Sequence, residues 1–329
     1  MRLLEATLAE KVSRDALTAS AWGRQLSTEQ FLAREAALRS HPFAKTSMRT
    51  WLWCGESILS SCETFEVAAT RGATAGRAFI VASVFTEPSL RGKGHAVAML
   101  NALVERLSTP DALAVVLFSE VGPSLYERAG FVGQPGVDLV FPARAAREGV
   151  SGAAHPSASV VMPRREQTAG DDARHSERTS DVRWTTAIEA PPHQRGDSHA
   201  VTLVLSAQQC DWHVERERFY ASVLHRPAPP AHVARLNASS LAVAASFQRN
   251  ELHVLWTEFH DDADGLALLE ACAALAQRCG LPAVRVWETR AMPTPTGATR
   301  VERNDELPML RPLDGGAARW TNVTQGLWA

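Results

Sequence analysis

The chain has 329 residues, of which 45% are apolar and 21% charged, and its 34 basic and 36 acidic side chains leave a formal net charge of -2. This is the composition of an ordinary globular protein. At about 150 residues per domain, the length of the chain predicts two domains. The sequence has no basic patch interleaved with aromatic residues, which speaks against a nucleic-acid partner. Five cysteines without a CxxC pair, and no apolar stretch of signal-peptide or membrane-spanning length, predict reduced thiols in a cytoplasmic protein that contacts no membrane.

The first 144 residues alternate between strand and helix patterns. We expect a first strand over residues 2–8 and helical segments over 17–22 and 27–39, where Ser27 and Gln30 have the spacing of a capping box. Apolar-rich segments then predict strands, in chain order, at 48–53, 58–67, 78–85 and 113–118. A helix that begins near Pro123 and ends at Gly130, followed by a strand that starts at Phe131, completes a β-β-β-α-β-α-β order.

A glycine-bearing loop joins the third of these strands to a helix. The loop reads Arg91-Gly92-Lys93-Gly94-His95-Ala96, and apolar residues with helical spacing follow it as far as Leu107. The first-turn amides of a helix have no intrahelical partner, and the helix dipole is positive there, so this order suits a pyrophosphate. The glycines let the backbone come close, and Arg91 and Lys93 add positive charge.

Two other phosphate loops do not fit this segment. A nucleotide-triphosphate loop needs GxxxxGK[ST], but His95 follows Gly94. A dinucleotide-binding loop needs GxGxxG, but Val97 stands three residues after Gly94. The remaining pattern is Arg-x-x-Gly-x-Ala, from Arg91 to Ala96.

Residues 145–200 change in character. Gly, Ser, Arg, Asp, His and Pro dominate, and apolar periodicity vanishes. Loops of this length are uncommon inside compact domains. We therefore expect a linker that is partly disordered, with a short segment at 182–188 ordered against a neighbouring element.

The last part of the chain, residues 201–329, repeats the order of the first. A helix at 210–224 precedes strands at 241–247 and 252–259, a helix at 266–279 and a strand at 283–287. Where the first copy has its glycine loop, the second has His260-Asp261-Asp262-Ala263-Asp264-Gly265, in which Asp264 can cap the helix. Three carboxylates would repel a pyrophosphate, so we predict a degenerate copy that does not bind such a ligand and instead helps to shape the substrate site.

The Arg91–Ala96 loop, with Pro88 before it, resembles the acetyl-coenzyme A loop of the GNAT-type N-acetyltransferase superfamily. The segment Tyr126-Glu127-x-x-Gly130-Phe131 is similar to the form that this superfamily shows after its fifth strand. The resemblance implies an α/β fold, a mixed sheet flanked by helices, that uses acetyl-coenzyme A and no metal. It places the cofactor on nine residues, with the pantetheine arm along the backbone near Phe85: Val84, Phe85, Thr86, Arg91, Gly92, Lys93, Gly94, His95 and Ala96.

A narrower resemblance covers both domains but not the linker. It rests on Ile58–Phe65, on Leu117–Pro123, on Trp212–Tyr220, and on Trp287 with Asp305–Leu310. Together these segments are similar to the fungal lysine acetyltransferase family, which implies acetyl transfer to the ε-amine of lysine. The long linker departs from that family, and the Arg- and Ala-rich composition is typical of a bacterial protein. Both leave the identity of the substrate open.

Acetyl transfer to an amine requires a neutral nitrogen. The pKa of a lysine ε-amine is about 10.4, so a base must remove its proton. Glu63 and Glu120 are the candidates for that base or for binding the substrate cation, ahead of Glu66, whereas His95 is a cofactor neighbour. The resemblance implies that Tyr126 donates a proton to the leaving thiolate.

The acceptor remains open at this stage. For free lysine we predict a clamp on the α-carboxylate from Arg303 or Arg311, which flank Leu307-Pro308-Met309. A polyamine, an antibiotic amine or a lysine inside a peptide would need no such clamp. An acyl-coenzyme A sensor without catalysis is the alternative from a different class, and Tyr126 with its neighbouring carboxylates argues against it. The oligomeric state does not follow from the sequence.

Overall fold

A computed structural model describes residues 1–144, 178–179, 181–191, 200–288 and 291–328. The α-helices are α1 (Leu8–Trp22), α2 (Thr28–Ser40), α3 (Pro42–Ser47), α4 (His95–Leu107), α5 (Ser124–Glu127), α6 (Ala207–Leu224) and α7 (Asp262–Arg278). The strands are β1 (Arg2–Glu5), β2 (Met48–Cys54), β3 (Ile58–Arg71), β4 (Thr74–Thr86), β5 (Ala112–Ser119), β6 (Val132–Gly133), β7 (Val137–Pro142), β8 (Arg183–Thr185), β9 (Ala200–Leu203), β10 (Val233–Leu236), β11 (Ser239–Ser246), β12 (Glu251–Glu258), β13 (Ala283–Glu288), β14 (Thr299–Glu302), β15 (Leu307–Pro312) and β16 (Arg319–Thr321).

The strands form two mixed sheets. The first has the order β1-β2-β3-β4-β5-β15-β6, with β9 added along the far end of β3 and β16 beside β9. The second has the order β14-β7-β13-β12-β11-β10-β8. Each contains a parallel pair joined through a helix, β4 to β5 through α4 and β12 to β13 through α7. The predicted α/β class, mixed sheets flanked by helices in two GNAT-like halves, is therefore confirmed.

The two halves exchange strands. β7, from the first half of the chain, lies between β13 and β14 in the second sheet. β15, from the end of the chain, lies between β5 and β6 in the first sheet, with Leu307 opposite Ser119 and Pro312 opposite Ala114. Each sheet is thus completed by a strand from the other half, which fixes the halves to one another through backbone hydrogen bonds.

Helices cover one face of each sheet, and a shared apolar cluster lies between the two sheets. α4 buries Met99, Leu100, Leu103 and Val104 against one face of the first sheet. α7 is covered in the same way against the second sheet, where Leu268 and Leu275 are almost fully buried. Between the sheets lies a shared cluster that includes Phe65, Ile80, Trp212, Leu255 and Trp256. This middle layer joins the halves through apolar contact as well as through exchanged strands.

Several elements differ from the sequence expectations. α1 begins at Leu8 rather than near residue 17, because Thr7 and Glu10 form a capping box. The helix cap before α7 is Asp261, whose side chain accepts from the amide of Asp264 at 3.0 Å, and not Asp264 itself. The segment at 182–188 contains β8, which pairs with β10 and confirms its expected order. Much of the expected linker lies outside the described residues.

Two further helix ends are defined by local signals, of which the capping box of α2 is the one predicted above. Ser27 and Gln30 form the capping box of α2, and Gly280 follows the end of α7 with a φ of 65°. No helix in the described part of the chain is both long enough and apolar enough to cross a membrane.

Candidate active site

β4 and β5 pair over their first halves and then separate. Their parallel ladder runs from Arg77 and Ala112 to Val81 and Leu117, whereas β4 continues to Thr86 and β5 to Ser119. A bulge in β4 lies at the point of separation. Ser61 of β3 faces Phe85 but Glu63 faces Ala82, so β4 carries one extra residue there, and Ser83 has a φ of 53°. Beyond Val81, one edge of β4 has no strand partner among the described residues.

The Arg91–Ala96 loop follows directly from this free edge. Gly92 and Gly94 have φ values of 77° and 80°, which side chains rarely adopt, and a Cβ at either position would meet no atom within 4 Å. α4 begins at His95 without a side-chain cap, and its first helical backbone bond is donated by Ala98. The amides before Ala98 are therefore available to an anion.

The predicted cofactor residues lie at the end of β4, in the loop after it and at the start of α4. Val84 lines the cavity described below, and Phe85 is buried under the guanidinium of Arg14, whose carbon lies 5.4 Å from the ring centroid. Arg91 donates from its Nε to the carbonyl of Thr86 at 3.0 Å. Gly92, Lys93 and Gly94 are exposed, and His95 and Ala96 are half-buried at the helix start. The groups that a thioester arm and a pyrophosphate need are thus present in chain order.

A cavity of about 260 Å³ opens beside the bulge. Its walls come from both halves of the chain, namely from α1, α2, β3, β4 and α5 on one side and from α6, the β11–β12 turn and Trp328 on the other. It holds both charged and aromatic side chains.

Glu63 is held in an ion cluster on one wall. Its Oε1 lies 2.5 Å from Lys11 Nζ, and its Oε2 accepts from Ser83 Oγ at 2.9 Å. Lys11 is also paired with Asp15 and lies 3.7 Å from Glu35. Burial alone would lower the pKa of Lys11, but the three carboxylates together raise it. Because both oxygens of Glu63 are engaged, this carboxylate orients the bulge and balances Lys11 rather than standing ready as a base.

The carboxylate of Glu120 is less constrained by neighbouring groups than that of Glu63. Its side chain is 40% exposed, and its nearest cation is Arg249 Nη2 at 3.8 Å, which is beyond hydrogen-bond range. Arg249 is held instead by Asp305 at 3.0 Å and by buried Glu306 at 2.6 Å. Glu120 therefore keeps lone pairs free at the cavity.

Tyr126 lies close to Glu120 on α5. Its ring is 7% exposed and packs edge-on against Phe131 at 6.2 Å between centroids. Burial, together with the nearby Cys62 and Glu120 side chains, raises the pKa of Tyr126. The hydroxyl therefore stays protonated at neutral pH, and it makes no hydrogen bond to any residue that the structure describes.

Arg303 and Arg311 do not reach the cavity, so the predicted carboxylate clamp needs correction. Arg303 is buried and donates from Nε to Asp138 Oδ1 at 2.7 Å, with its guanidinium carbon 3.9 Å from the centroid of Trp287. Arg311 donates from Nη1 to Asn101 Oδ1 at 2.8 Å and to the carbonyl of Ala129. Both are already satisfied within the fold, and neither lines the cavity.

Six other arginines line that cavity instead, namely Arg249, the exposed Arg24 and the four described next. Arg14 donates to Ser61 Oγ at 3.1 Å and pairs with Glu87. Arg34 donates to Glu35 and to the hydroxyl of Tyr220. Arg39 pairs with Asp15. Arg216 differs from these three, because it makes no hydrogen bond or ion pair to any described residue.

Sequence reasoning missed these side chains although a signal existed. Lys11, Arg14, Asp15 and Thr18 recur at helical spacing and are all buried, whereas Leu8 and Val12 of the same helix are exposed. A helix that buries its polar stripe lines a polar cavity rather than a core. The expectation of a strand through residue 8 obscured this pattern.

The sequence comparisons agree with this architecture. Residues 174–329 match the family model described as the LYC1 GNAT-like C-terminal domain. A lysine acetyltransferase from Yarrowia lipolytica is 24% identical over 297 residues, which cover 76% of this chain and 74% of that protein.

Solved structures share the fold at low identity. A probable N-acyltransferase from Enterococcus faecalis V583 superposes with a TM-score of 0.54 at 12% identity, covering 95% of this chain and 72% of that one. A GCN5-related N-acetyltransferase from Kribbella flavida gives 0.51 at 16% identity, covering 96% and 73%. Eis1 from Mycobacterium abscessus gives 0.51 at 9% identity, covering 95% and 74%. The resemblance stated from the loop and from Tyr126–Phe131 is confirmed for the fold by these structures, and the family-model match over residues 174–329 agrees with it.

Proposed function

Because this chain is a GNAT-type N-acetyltransferase by its fold, its family match and its curated relative, we propose that it transfers acetyl from acetyl-coenzyme A to the ε-amine of lysine or a lysine-like compound. Transfer is direct, with both substrates bound together. The proposal rests on the separation of β4 from β5. The free part of β4 leads into the anion-binding loop and also lines the charged cavity. The name of the Yarrowia lipolytica relative supports lysine as the acceptor.

The chain offers a fitting site for acetyl-coenzyme A, which supplies the activated acyl thioester. The amides at the start of α4, with Arg91 and Lys93, would hold the pyrophosphate. The free edge of β4 at Val84–Thr86 would pair with the pantetheine arm as an added strand does. The loop glycines keep this surface free of side chains. Acidic residues occupy the equivalent turn before α7, so the second half lacks such a site.

Deprotonation of the acceptor falls to Glu120 in this proposal. At pH 7.4 only about one lysine ε-amine in a thousand is neutral, which corresponds to roughly 4 kcal/mol. Glu120 is partly exposed and has free lone pairs, so it can take the amine proton directly or through water. Glu63 fixes the ion cluster and the bulge beside it.

Tyr126 acts at the other side of the reaction. As the amine nitrogen bonds to the acyl carbon, the carbon–sulfur bond breaks and the sulfur takes the proton of the Tyr126 hydroxyl. Burial keeps that hydroxyl protonated until the thiolate forms. The tyrosine then regains a proton from water.

A panel of amines with a free-thiol readout tests the proposal. Lysine should release coenzyme A faster than a polyamine, an aminoglycoside or a lysine-containing peptide. If one of those three amines is turned over faster than lysine, that amine is the acceptor and the assignment to lysine is wrong. Binding of acetyl-coenzyme A without thiol release from any amine would favour a non-catalytic acyl-coenzyme A sensor.

A further inference from the structure

We propose that Arg216, from the second half of the chain, binds the α-carboxylate of a free amino-acid acceptor in the cavity. The inference rests on the proposed function, because it assigns the substrate class of that same site. It starts from an unpaired cation. Among the described residues of the cavity, five cations have a carboxylate partner: Lys11, Arg14, Arg34, Arg39 and Arg249. Arg24 and Arg216 have none, but Arg24 is exposed to solvent, whereas Arg216 is half-buried and held between aromatic rings.

Aromatic stacking holds Arg216 in place. Its guanidinium carbon lies 4.2 Å from the ring centroid of Trp212, one turn earlier on α6, and 4.8 Å from that of Trp328. Trp212 is itself fixed by Phe43 and Phe65 and by its indole bond to the carbonyl of Leu38. An indole ring has no hydrogen-bond acceptor in its plane, so neither tryptophan satisfies the N–H groups of the guanidinium. Those N–H groups have the fork geometry that matches a carboxylate.

The surroundings give this cation no internal partner. Glu35 is the nearby acid, but Arg34 already holds it at 2.6 Å and Lys11 lies 3.7 Å from it. Burial and the proximity of Arg34 lower the pKa of Arg216 to about 10, so it remains charged at neutral pH. A desolvated charge without a partner is costly, and an incoming anion removes that cost.

The position selects the kind of anion. Arg216 lines the same cavity as Glu120 and Tyr126, which lie at the reacting end, but on the wall contributed by α6. At about 260 Å³ the cavity is smaller than the range of about 300–1,000 Å³ for drug-sized ligands, so it suits a small acceptor. Such an acceptor presents an amine at one end and an anion at the other, as free lysine does. Polyamines lack the anion.

Binding to the full-length protein saturated with coenzyme A tests the inference without relying on turnover. Calorimetry should show lysine binding about 10- to 150-fold more tightly than lysine amide, the range of one hydrogen bond to a charged group. Arg216→Gln should reduce the affinity for lysine to that for lysine amide. It should leave the affinities for lysine amide and cadaverine unchanged. Arg216→Lys, which keeps the charge but loses the fork, should give an intermediate preference.

A matched control lies on the same helix. Arg218 is exposed, pairs with Glu215 and does not line the cavity, so Arg218→Gln should keep the full preference for lysine. A preference that persists in Arg216→Gln, or equal binding of lysine and lysine amide by the wild type, would overturn the inference. In either case, acetylation of cadaverine with thiol release would leave the proposed transferase standing. Failure to bind coenzyme A would count against the transferase itself.

Discussion

A single negative charge introduced at Gly94 tests whether the Arg91–Ala96 loop binds the pyrophosphate of coenzyme A. Gly94 has a φ of 80°, and a Cβ there meets no atom within 4 Å, so a substitution strains the backbone without a clash in the free protein. A left-handed conformation costs about 1–2 kcal/mol for ordinary residues and less for Asn and Asp. Gly94→Asp and Gly94→Asn therefore form a matched pair that differs mainly in charge.

The magnitude follows from the exposure of the loop. At an effective dielectric constant of about 20, a carboxylate about 5 Å from one phosphate charge is repelled by roughly 3 kcal/mol. Salt screens part of this repulsion because the loop lies at the surface. We expect Gly94→Asp to bind coenzyme A about 100-fold more weakly than Gly94→Asn. Both variants should lose at most about 1–2 kcal/mol of unfolding free energy.

Calorimetric titration with coenzyme A and thermal unfolding measure the two effects separately. Asp261→Ala supplies the control in the second half. It removes the cap of α7 and should cost about 0.5–2 kcal/mol of stability, but it should leave the affinity for coenzyme A unchanged. Wild-type affinity in Gly94→Asp would refute the assignment of the pyrophosphate to this loop.

Three further predictions concern single side chains. Tyr126→Phe should lower turnover in the thiol assay by about 100-fold or more and leave coenzyme A affinity unchanged, and undiminished turnover would assign Tyr126 to packing. Lys11→Met should lower the unfolding free energy by about 3–5 kcal/mol, because it leaves buried carboxylates unbalanced, and adding Glu63→Gln should restore part of that loss in urea unfolding. Burial raises the pKa of Glu217 to about 8, so the folded protein holds a proton that the unfolded chain loses above about pH 4.5. Stability should fall as pH rises from about 4.5 to 8, and Glu217→Gln should flatten that slope in urea unfolding at pH 5 and pH 8.

Local signals account for the parts of the fold that the sequence could predict. The α4 helix has apolar residues at regular spacing, and the glycines before it need a left-handed backbone. The capping box at Ser27 and the Gly280 terminus are likewise encoded within a few residues. Such features depend on short-range sterics and hydrogen bonds, so they can be identified without knowing the topology.

The strand exchange could not be identified in this way. β15 contains Pro308 and Pro312, which argue against a strand that is paired on both sides. Its partner β5 lies almost two hundred residues earlier in the chain, and no local pattern specifies so distant a neighbour. The clamp assigned to Arg303 and Arg311 failed for the same reason. Closeness in sequence to the Leu307–Met309 segment did not place either guanidinium in the cavity.

The second half has acidic residues where the first has its glycine loop, and it contributes one wall of the cavity. A second half that retained only its own sheet could shift relative to the first, and a displacement of about 1 Å at a reacting pair can cost about 100-fold in rate. Here β7 and β15 tie each half into the sheet of the other, and Trp212 packs against Phe65 of the first half. The guanidinium of Arg216 stacks on the ring of Trp212. The exchanged strands therefore let a half without a cofactor site hold an anion-binding side chain at a fixed distance from Tyr126, which separate domains joined only by a linker would not achieve.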